Sequence, residues 1–360
     1  MKKVYLNGFL LASKELYGVQ RFTYELLREL DKYADKDLLE VLVPDTCERE
    51  FGFKNIGVTK VPGKLDSKGR SRFWNHFGFK NYVRKCGGLS MDTMLTYPFT
   101  GCDIFTYHDC ILEKVPQNFR TPKEKLVRIR NRLLVNLNLR RAKVVLTISR
   151  NSKSDILGLY GIPSKKIAII YTGWQHFERI EPDGTVLARL GLIKGEYCFS
   201  LGSRYYHKNF RWVVEAARQN PQYTFVVTGS DIISTTDSYL NKIKPRNLIF
   251  TGYLSDSEIK ALMANCKVFI QPSLYEGAGM PPMEAMSAGA RCIVSNRTSL
   301  PELYGESVWY IDPEQYDGID IDSIMTGSIA SNKEVLDRFS WDRSARRLYK
   351  VIRDVRRRCR

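Results

Sequence analysis

Two glutamates eight residues apart, Glu276 and Glu284, stand in the segment YEGAGMPPMEAMSAG (275–289), directly after the apolar run KVFIQPS (267–273). On one continuous helix that spacing would separate them by about 12 Å along the axis and about 80° around it. Gly277, Gly279, Pro281 and Pro282 intervene, so the Gly-rich part must be a loop. Pro281 or Pro282 suits the first helical position. Glu276 therefore belongs to a loop at the carboxyl end of a strand, and Glu284 to the opening of the next helix. Backbone N–H groups at such a helix start favour a polar, partly anionic ligand. An ionised carboxylate accepts hydrogen bonds on both oxygens, which suits a ligand rich in hydroxyls. For Glu284 alone the competing explanation is a glutamate that only complements the helix dipole.

A second set of charges lies upstream. Arg204 and Lys208 occupy the loop between the run YCFSLGS (197–203) and a helix beginning near Asn209. Two cations beside a helix N-terminus would neutralise a diphosphate; the alternative is an ordinary surface pair. Metal chemistry has little support. Asp320-Ile321-Asp322 matches D-x-D, but it lies beyond the last strand candidates in an acidic loop. There is no zinc-type histidine pair, Walker loop or G-x-S-x-G elbow, so neither a metal site nor a resident cofactor is expected.

These residues need a scaffold, and the rest of the chain describes one. Strand candidates are 3–9, 38–44, 93–98, 103–108, 143–149 and 167–173, then 197–203, 223–230, 248–254, 267–273, 291–296 and 308–312. They are continuous β-rich runs rather than strict alternations, as suits parallel strands buried on both faces. Helical patterns separate them, including 22–33. Thr121-Pro122-Lys123-Glu124 forms a capping-box sequence with Pro at the first helical position. The helix it opens carries Leu126, Ile129, Leu133 and Leu137 on one face and arginines around the rest. Strand–helix alternation, twice over in 360 residues, predicts an α/β protein of two doubly wound, Rossmann-like domains. The expected division is 1–175, 176–338 and a terminal helix, 339–360, crossing back to the first domain, with a loop-like joint near 173–195.

At this point the chain resembles the family-4 retaining glycosyltransferases of the GT-B fold, in which two Rossmann-like domains face each other across a cleft. The segment 275–289 resembles their E-x7-E signature. YGVQRFTYELLREL (17–30) resembles the glycine loop and first helix, FTYHDCILEKVP (105–116) the His-Asp segment, and SLGSRYYHKNF (200–210) the phosphate-binding entry to the second domain. The resemblance runs along nearly the whole chain in order. It implies that Arg204 and Lys208, with Gly202 and Ser203, meet the donor diphosphate. Glu276 and the amides of Gly277, Ala278, Gly279 and Met280 would hold the donor sugar, and Glu284 the ribose hydroxyls. Gly252, Tyr253 and Leu254 would line the base pocket. Gly18 would bring a backbone amide near the diphosphate or acceptor. His108 would touch the donor sugar, with a satisfied structural histidine as the competitor. His176 and His207 receive no role. Ala278, Arg291, Thr172 and the compact Arg204–Lys208 spacing depart from the family's usual pattern and leave the donor sugar open.

The resemblance further implies hexose transfer with retention and without a metal, from a nucleotide-sugar donor to a saccharide or lipid-linked saccharide. GDP-mannose is the favoured donor and UDP-glucose the next. No carboxylate is placed as a nucleophile for a two-carboxylate mechanism, which leaves front-face displacement. The rivals are a phosphorylase or sugar-nucleotide epimerase on the same fold. A nucleic-acid-binding module, motivated only by the net charge of +17, leaves the glutamates unexplained. That charge is uneven: residues 1–170 hold 31 lysines and arginines against 17 acids, and the remainder 25 against 22. Phe73, Trp74, Phe77, Phe79 and Tyr82 interleave with Arg70, Arg72, Lys80, Arg84 and Lys85. This stretch reads either as an amphipathic patch for an anionic membrane surface or as core aromatics. The start of the chain reads as a strand and its loop rather than a secretory signal. Eight scattered cysteines without C-x-x-C pairs fit reduced thiols. Both point to a cytoplasmic protein, or one peripheral on the inner face of the membrane.

Overall fold

The computed structural model describes residues 2–63, 71, 73–93, 97–202, 205–229 and 245–359. It contains two compact units. One comprises Met1–Glu113, Phe119–Thr172 and Trp341–Arg360, the other Lys114–Asn118 and Gly173–Ser340.

The first unit is built on seven strands: β1 Val4–Asn7, β2 Leu39–Pro44, β3 Gly57–Val61, β4 Leu89–Asp92, β5 Ile104–Thr106, β6 Val144–Thr147 and β7 Ile167–Ile169. Their order is β3-β2-β1-β4-β5-β6-β7, with every neighbouring pair parallel. The second unit holds β8 Tyr197–Ser200, β9 Thr224–Val227, β10 Leu248–Phe250, β11 Val268–Gln271, β12 Cys292–Ser295 and β13 Trp309–Ile311. Their order is β10-β9-β8-β11-β12-β13, again all parallel. Each sheet thus reverses its strand order once, between β1 and β4 and between β8 and β11. Such a switch point splays the loops at the carboxyl ends of the two strands apart and opens a crevice.

The strand runs are buried on both faces because helices cover both sides of each sheet. Val4, Leu6, Val41, Leu42, Val145 and Leu146 are shielded from water in the first sheet, and Phe199, Val226, Phe269 and Ile293 in the second. Two strands of the first sheet differ from expectation. Gly57–Val61 is an edge strand whose side chains alternate in burial, so it lacks the continuous apolar signal. Leu89–Asp92 carries Ser90 and Asp92 into the core. Ser90 is accommodated because its N–H and hydroxyl donate to Asp103 Oδ2 at 2.9 and 2.6 Å, where Lys80 Nζ also donates at 2.8 Å. Of the expected strand at 93–98, Thr93, Tyr97 and Pro98 lie outside any strand, and residues 94–96 are outside the described residues. The 173–195 stretch is not wholly loop, since Gln175–Glu178 and Thr185–Arg189 are short helices.

The capping box at Thr121 forms as its sequence requires. Thr121 Oγ1 accepts from the Glu124 N–H at 3.2 Å, and Glu124 Oε2 accepts from the Thr121 N–H at 2.9 Å. The helix Pro122–Arg141 then packs through Leu134, Val135, Asn138 and Leu139. Leu126, Ile129 and Leu133, expected on its apolar face, are exposed.

The closing helix, Trp341–Arg358, buries Trp341, Ala345, Leu348 and Ile352 against the helix Val19–Leu30 of the first unit. Trp341 meets the ring of Phe22 edge-on at 5.8 Å, and Arg356 Nε donates to the Lys2 carbonyl at 2.7 Å. Truncating a fully buried tryptophan forfeits both transfer energy and packing. Trp341→Ala should therefore destabilise the first unit by about 3–5 kcal/mol. Urea unfolding followed by circular dichroism should show an early transition in this variant, and an unchanged curve would show that the helix is dispensable for the unit.

Candidate active site

In the second unit the loops after β8 and β11 flank the switch point and carry the charged residues. They are laced together by hydrogen bonds. The Leu274 N–H donates to the His207 carbonyl at 2.7 Å. Asn209, held at a left-handed φ of 53°, donates from Nδ2 to the carbonyls of Pro272 at 3.0 Å and Pro313 at 2.7 Å. Its Oδ1 accepts from Tyr316 Oη at 3.1 Å. Asparagine tolerates this backbone conformation better than most residues because its short amide bonds locally. It ends the turn Tyr206–Lys208 and starts the helix Phe210–Gln219 in one step.

That clamp sets Lys208 against Glu276. Lys208 Nζ donates to Glu276 Oε1 at 2.7 Å, and Gln271 Nε2 donates to the same oxygen at 2.9 Å. The Glu276 main chain is pinned as well. Its N–H donates to Thr298 Oγ1 at 3.0 Å and its carbonyl accepts from Ser299 Oγ at 2.9 Å. Burial alone would raise the pKa of this carboxyl, but the Lys208 ammonium outweighs it and holds the group below the usual glutamate range. Glu276 is therefore a fixed, buried carboxylate that accepts hydrogen bonds at neutral pH.

From Glu276 the chain turns through Gly279, φ 54°, into the helix Met280–Ser287. Met280, rather than a proline, opens this helix, with Pro281 second. A Cβ at position 279 would lie 2.6 Å from Leu300 Cδ2, and the Gly279 carbonyl accepts from Tyr304 Oη, so both conformation and space demand glycine here. Pro281 and Pro282 carry no N–H, which leaves the amides of residues 277–280 as the forward donors of this helix start. Ala278 is buried. Glu284 lies one turn further on, where His176 Nε2 donates to its Oε1 at 2.9 Å. His176 comes from the short helix Gln175–Glu178 and is itself buried.

Gly252, φ 74°, forms an antiparallel bridge with Gly229, each N–H donating to the other's carbonyl, at 3.0 and 2.7 Å. Beyond it Tyr253 is exposed and Leu254 buried. The Gly202 N–H donates to Thr228 Oγ1 at 2.9 Å, so this amide is engaged within its own unit. Ser203 and Arg204 lie outside the described residues.

The remaining two positions belong to the first unit. Gly18, at φ 46° and ψ −107°, precedes the helix Val19–Leu30. His108 follows β5, and its Nε2 donates to the Thr93 carbonyl at 2.9 Å. Its ring meets Phe22 edge-on at 4.9 Å. Phe22 N–H in turn donates to the Gly18 carbonyl at 2.9 Å, so Gly18 and His108 are brought to the same end of the sheet. Arg49, which the sequence did not single out, stiffens the loop before Gly18 by donating to the carbonyls of Leu11, Ser13 and Lys14 at 3.0, 2.7 and 2.9 Å. Gln271, Thr298 and His176 were likewise missed. Each is an ordinary polar residue that no motif marks, and Thr298 and His176 are also far in sequence from their partners.

The two aspartates of D-x-D have other tasks. Asp320 Oδ1 caps the helix Ile321–Ile324 by accepting from the Asp322 and Ser323 N–H groups. Asp322 accepts from Tyr223 Oη at 2.7 Å and pairs with Lys267 at 3.2 Å. Among the described residues no group of three His, Cys, Asp or Glu is arranged to hold a metal.

Two Rossmann-like units with a cation and a carboxylate at the second switch point are the parts of a GT-B glycosyltransferase, and the comparisons agree. Residues 17–175 match the sequence model of Glycosyltransferase Family 4, and residues 191–326 that of Glycosyl transferases group 1. The chain belongs to this family and is a glycosyltransferase. It is 27% identical over 263 residues to O-antigen chain mannosyltransferase B of Escherichia coli, covering 69% of this chain and 66% of that one. It is 23% identical over 310 residues to O-antigen chain mannosyltransferase RfbU of Salmonella typhimurium, covering 82% and 83%. In fold it is similar to sucrose-phosphate synthase from Thermosynechococcus elongatus, with a TM-score of 0.73 at 16% identity and 99% of each chain covered. It is also similar to the Anabaena protein HepE in complex with UDP and glucose, with a TM-score of 0.68 at 16% identity, covering 98% of this chain and 99% of that one.

Burial pushes His108 and His207 down to about 4. In the unfolded chain a histidine titrates near 6.5. The folded state therefore favours the neutral rings. Their contribution to stability is complete above about pH 6.5 and is lost as pH falls toward 4. Calorimetry should show Tm dropping over that window, with a shallower slope in His207→Asn. An unchanged slope would mean that His207 is not buried neutral.

Proposed function

We propose that this enzyme transfers a hexose, mannose first and glucose next, from its nucleoside diphosphate to a saccharide or lipid-linked saccharide acceptor in surface polysaccharide assembly. The observation that carries the reading is the pair Lys208–Glu276 at the switch point: one cation for a diphosphate, one fixed carboxylate for sugar hydroxyls, 2.7 Å apart. Mannose is placed first because O-antigen mannosyltransferases lead the similar proteins.

In this reading the donor diphosphate lies along the loop 202–208. Lys208 and Arg204 neutralise it, with Gly202 and Ser203 beside them. Glu276 and the amides of Gly277, Ala278, Gly279 and Met280 hold the sugar. Glu284 accepts from the ribose hydroxyls, with His176 fixing its other oxygen. Gly252, Tyr253 and Leu254 receive the base. His108, with Nε2–H committed to the Thr93 carbonyl, presents Nδ1 as an acceptor for a donor-sugar hydroxyl. Gly18 offers its amide to the diphosphate or acceptor.

Transfer proceeds on the front face with retention. The acceptor oxygen forms its bond to the anomeric carbon as the bond to the diphosphate oxygen breaks. The acceptor's proton passes to that departing oxygen. Cations fixed in advance stabilise the charge that develops there, and no metal is required. The basic first half adds an anionic membrane surface to the partners, with the enzyme cytoplasmic or peripheral on the inner face; no nucleic acid belongs to this reading.

Three measurements check the proposal. A thermal-shift panel of GDP, UDP, dTDP and ADP, each with and without EDTA, should show stabilisation by one nucleotide, GDP first, that survives EDTA. Loss of that shift with EDTA would remove the metal-free mechanism. Lys208→Ala combined with Arg204→Ala should lower kcat by about 10²–10³-fold, as should Glu276→Gln; near-normal turnover would sink the assignment. His176→Ala should weaken binding of the stabilising nucleoside diphosphate by about threefold to tenfold, in the range of one ordinary hydrogen bond. It should leave the 2′,3′-dideoxy analogue almost unaffected, whereas an equal loss for both would show that His176 does not act through the ribose.

A further inference from the structure

The helix Pro122–Arg141 turns its apolar ridge away from its own core. At 100° per residue Leu126, Ile129 and Leu133 fall within an arc of about 60° and extend about 10 Å along the axis. They are 68%, 55% and 66% exposed, while Leu134, Val135, Asn138 and Leu139 make the buried face. Leucine and isoleucine in three successive contacts with water are not explained by packing within the unit.

The flanks of the ridge are basic. Lys123 and Arg130 border it on one side, Lys125 on the other, and Arg140 continues it. The helix carries seven lysines and arginines and a single acid, Glu124. That acid is held by the capping box at Thr121.

A second exposed apolar set adjoins the C-terminal end of the same helix. Asn138 Nδ2 donates to the Pro98 carbonyl at 2.9 Å and Arg141 Nη1 to the Phe99 carbonyl at 3.2 Å. These bonds seat Phe99, 40% exposed, whose ring stacks on Phe77 at 5.9 Å. Phe77 meets Phe73, 75% exposed, at 6.2 Å. The aromatic run 73–82 is therefore divided. Trp74 and Phe79 are core residues, Tyr82 packs against the core, and Phe73 and Phe77 face water.

We infer that the exposed face of Pro122–Arg141, continued by Phe73, Phe77 and Phe99, is the surface that docks on an anionic lipid bilayer. An apolar ridge bordered by lysine and arginine is what a helix lying in the plane of the interface requires. The ridge enters the boundary of headgroup and acyl chain while the flanks meet lipid phosphates. No helix among the described residues is long and apolar enough to cross a membrane, so the contact is peripheral. A second copy of the chain is a poorer occupant, because a two-fold contact through this face would bring the same basic flanks together. The inference rests on the membrane partner proposed above and names the face that serves it.

Co-sedimentation with phosphatidylcholine vesicles, with and without phosphatidylglycerol, tests it. The unaltered enzyme should bind the anionic vesicles at low salt. Leu126→Ser with Ile129→Ser and Leu133→Ser should lower the partition coefficient by about tenfold or more. Lys123→Gln, Lys125→Gln, Arg130→Gln and Arg140→Gln together should do the same and abolish the preference for anionic lipid. All these side chains are exposed, so both variants should keep the Tm of the parent, and that is checked in parallel. If the parent fails to bind, the face and the membrane reading fall together. If the parent and both variants bind alike, this face is wrong and the membrane reading stands. If the serine variant instead turns a dimer into a monomer on size-exclusion chromatography, the face is a self-contact and the inference is overturned.

Discussion

Glu276 is a carboxylate taken out of water, and the arrangement of the second unit follows from keeping it ionised there. A buried charge without a partner is costly enough that the group would take up a proton instead. Lys208 and Gln271 remove that cost by converging on Oε1. Lys208 is supplied by the loop after β8, far away in sequence, and Gln271 by the last position of β11, five residues before Glu276. The reversal of strand order between β8 and β11 is what lets one loop from each side reach the same point. Asn209 secures the meeting by tying its own loop to the Pro272 and Pro313 carbonyls.

The first unit solves a related problem with aromatic contacts rather than charge. Phe22 touches His108 on one side and Trp341 on the other, and Phe22 and Trp341 are fully buried. The end of the chain thus completes the packing behind the histidine and the Gly18 turn. His108 carries no charge penalty in this setting, since burial keeps its ring neutral and the Thr93 carbonyl accepts a hydrogen bond from its Nε2–H. Arg49 acts at the other side of that turn, filling three carbonyls that the irregular loop leaves without ladder partners.

Polar residues inside strands mark where local reading of the chain fails. Ser90 and Asp92 interrupt the apolar run of the central strand β4, and the partners that satisfy Ser90, Asp103 and Lys80, come from elsewhere in the chain. The helix Pro122–Arg141 shows the converse. Its periodicity is correctly apolar at Leu126, Ile129 and Leu133, yet periodicity alone does not say which side the rest of the protein occupies. The stripe that packs is Leu134, Val135 and Leu139.

By itself the sequence determined the α/β class, eleven of the strand positions, the helix starts at Thr121 and Asn209, and the Gly-Pro break between Glu276 and Glu284. Each of these is a local matter of backbone freedom, capping or a continuous apolar run, and a few adjacent residues suffice to impose it. Tertiary structure alone decided that Lys208 shares an oxygen with Gln271 on Glu276, that His176 holds Glu284, and that Asp322 of D-x-D serves a Tyr–Lys pair. It also decided which face of Pro122–Arg141 meets water. These outcomes depend on side chains that the sheet order brings together from far along the chain, and no local pattern encodes such a meeting.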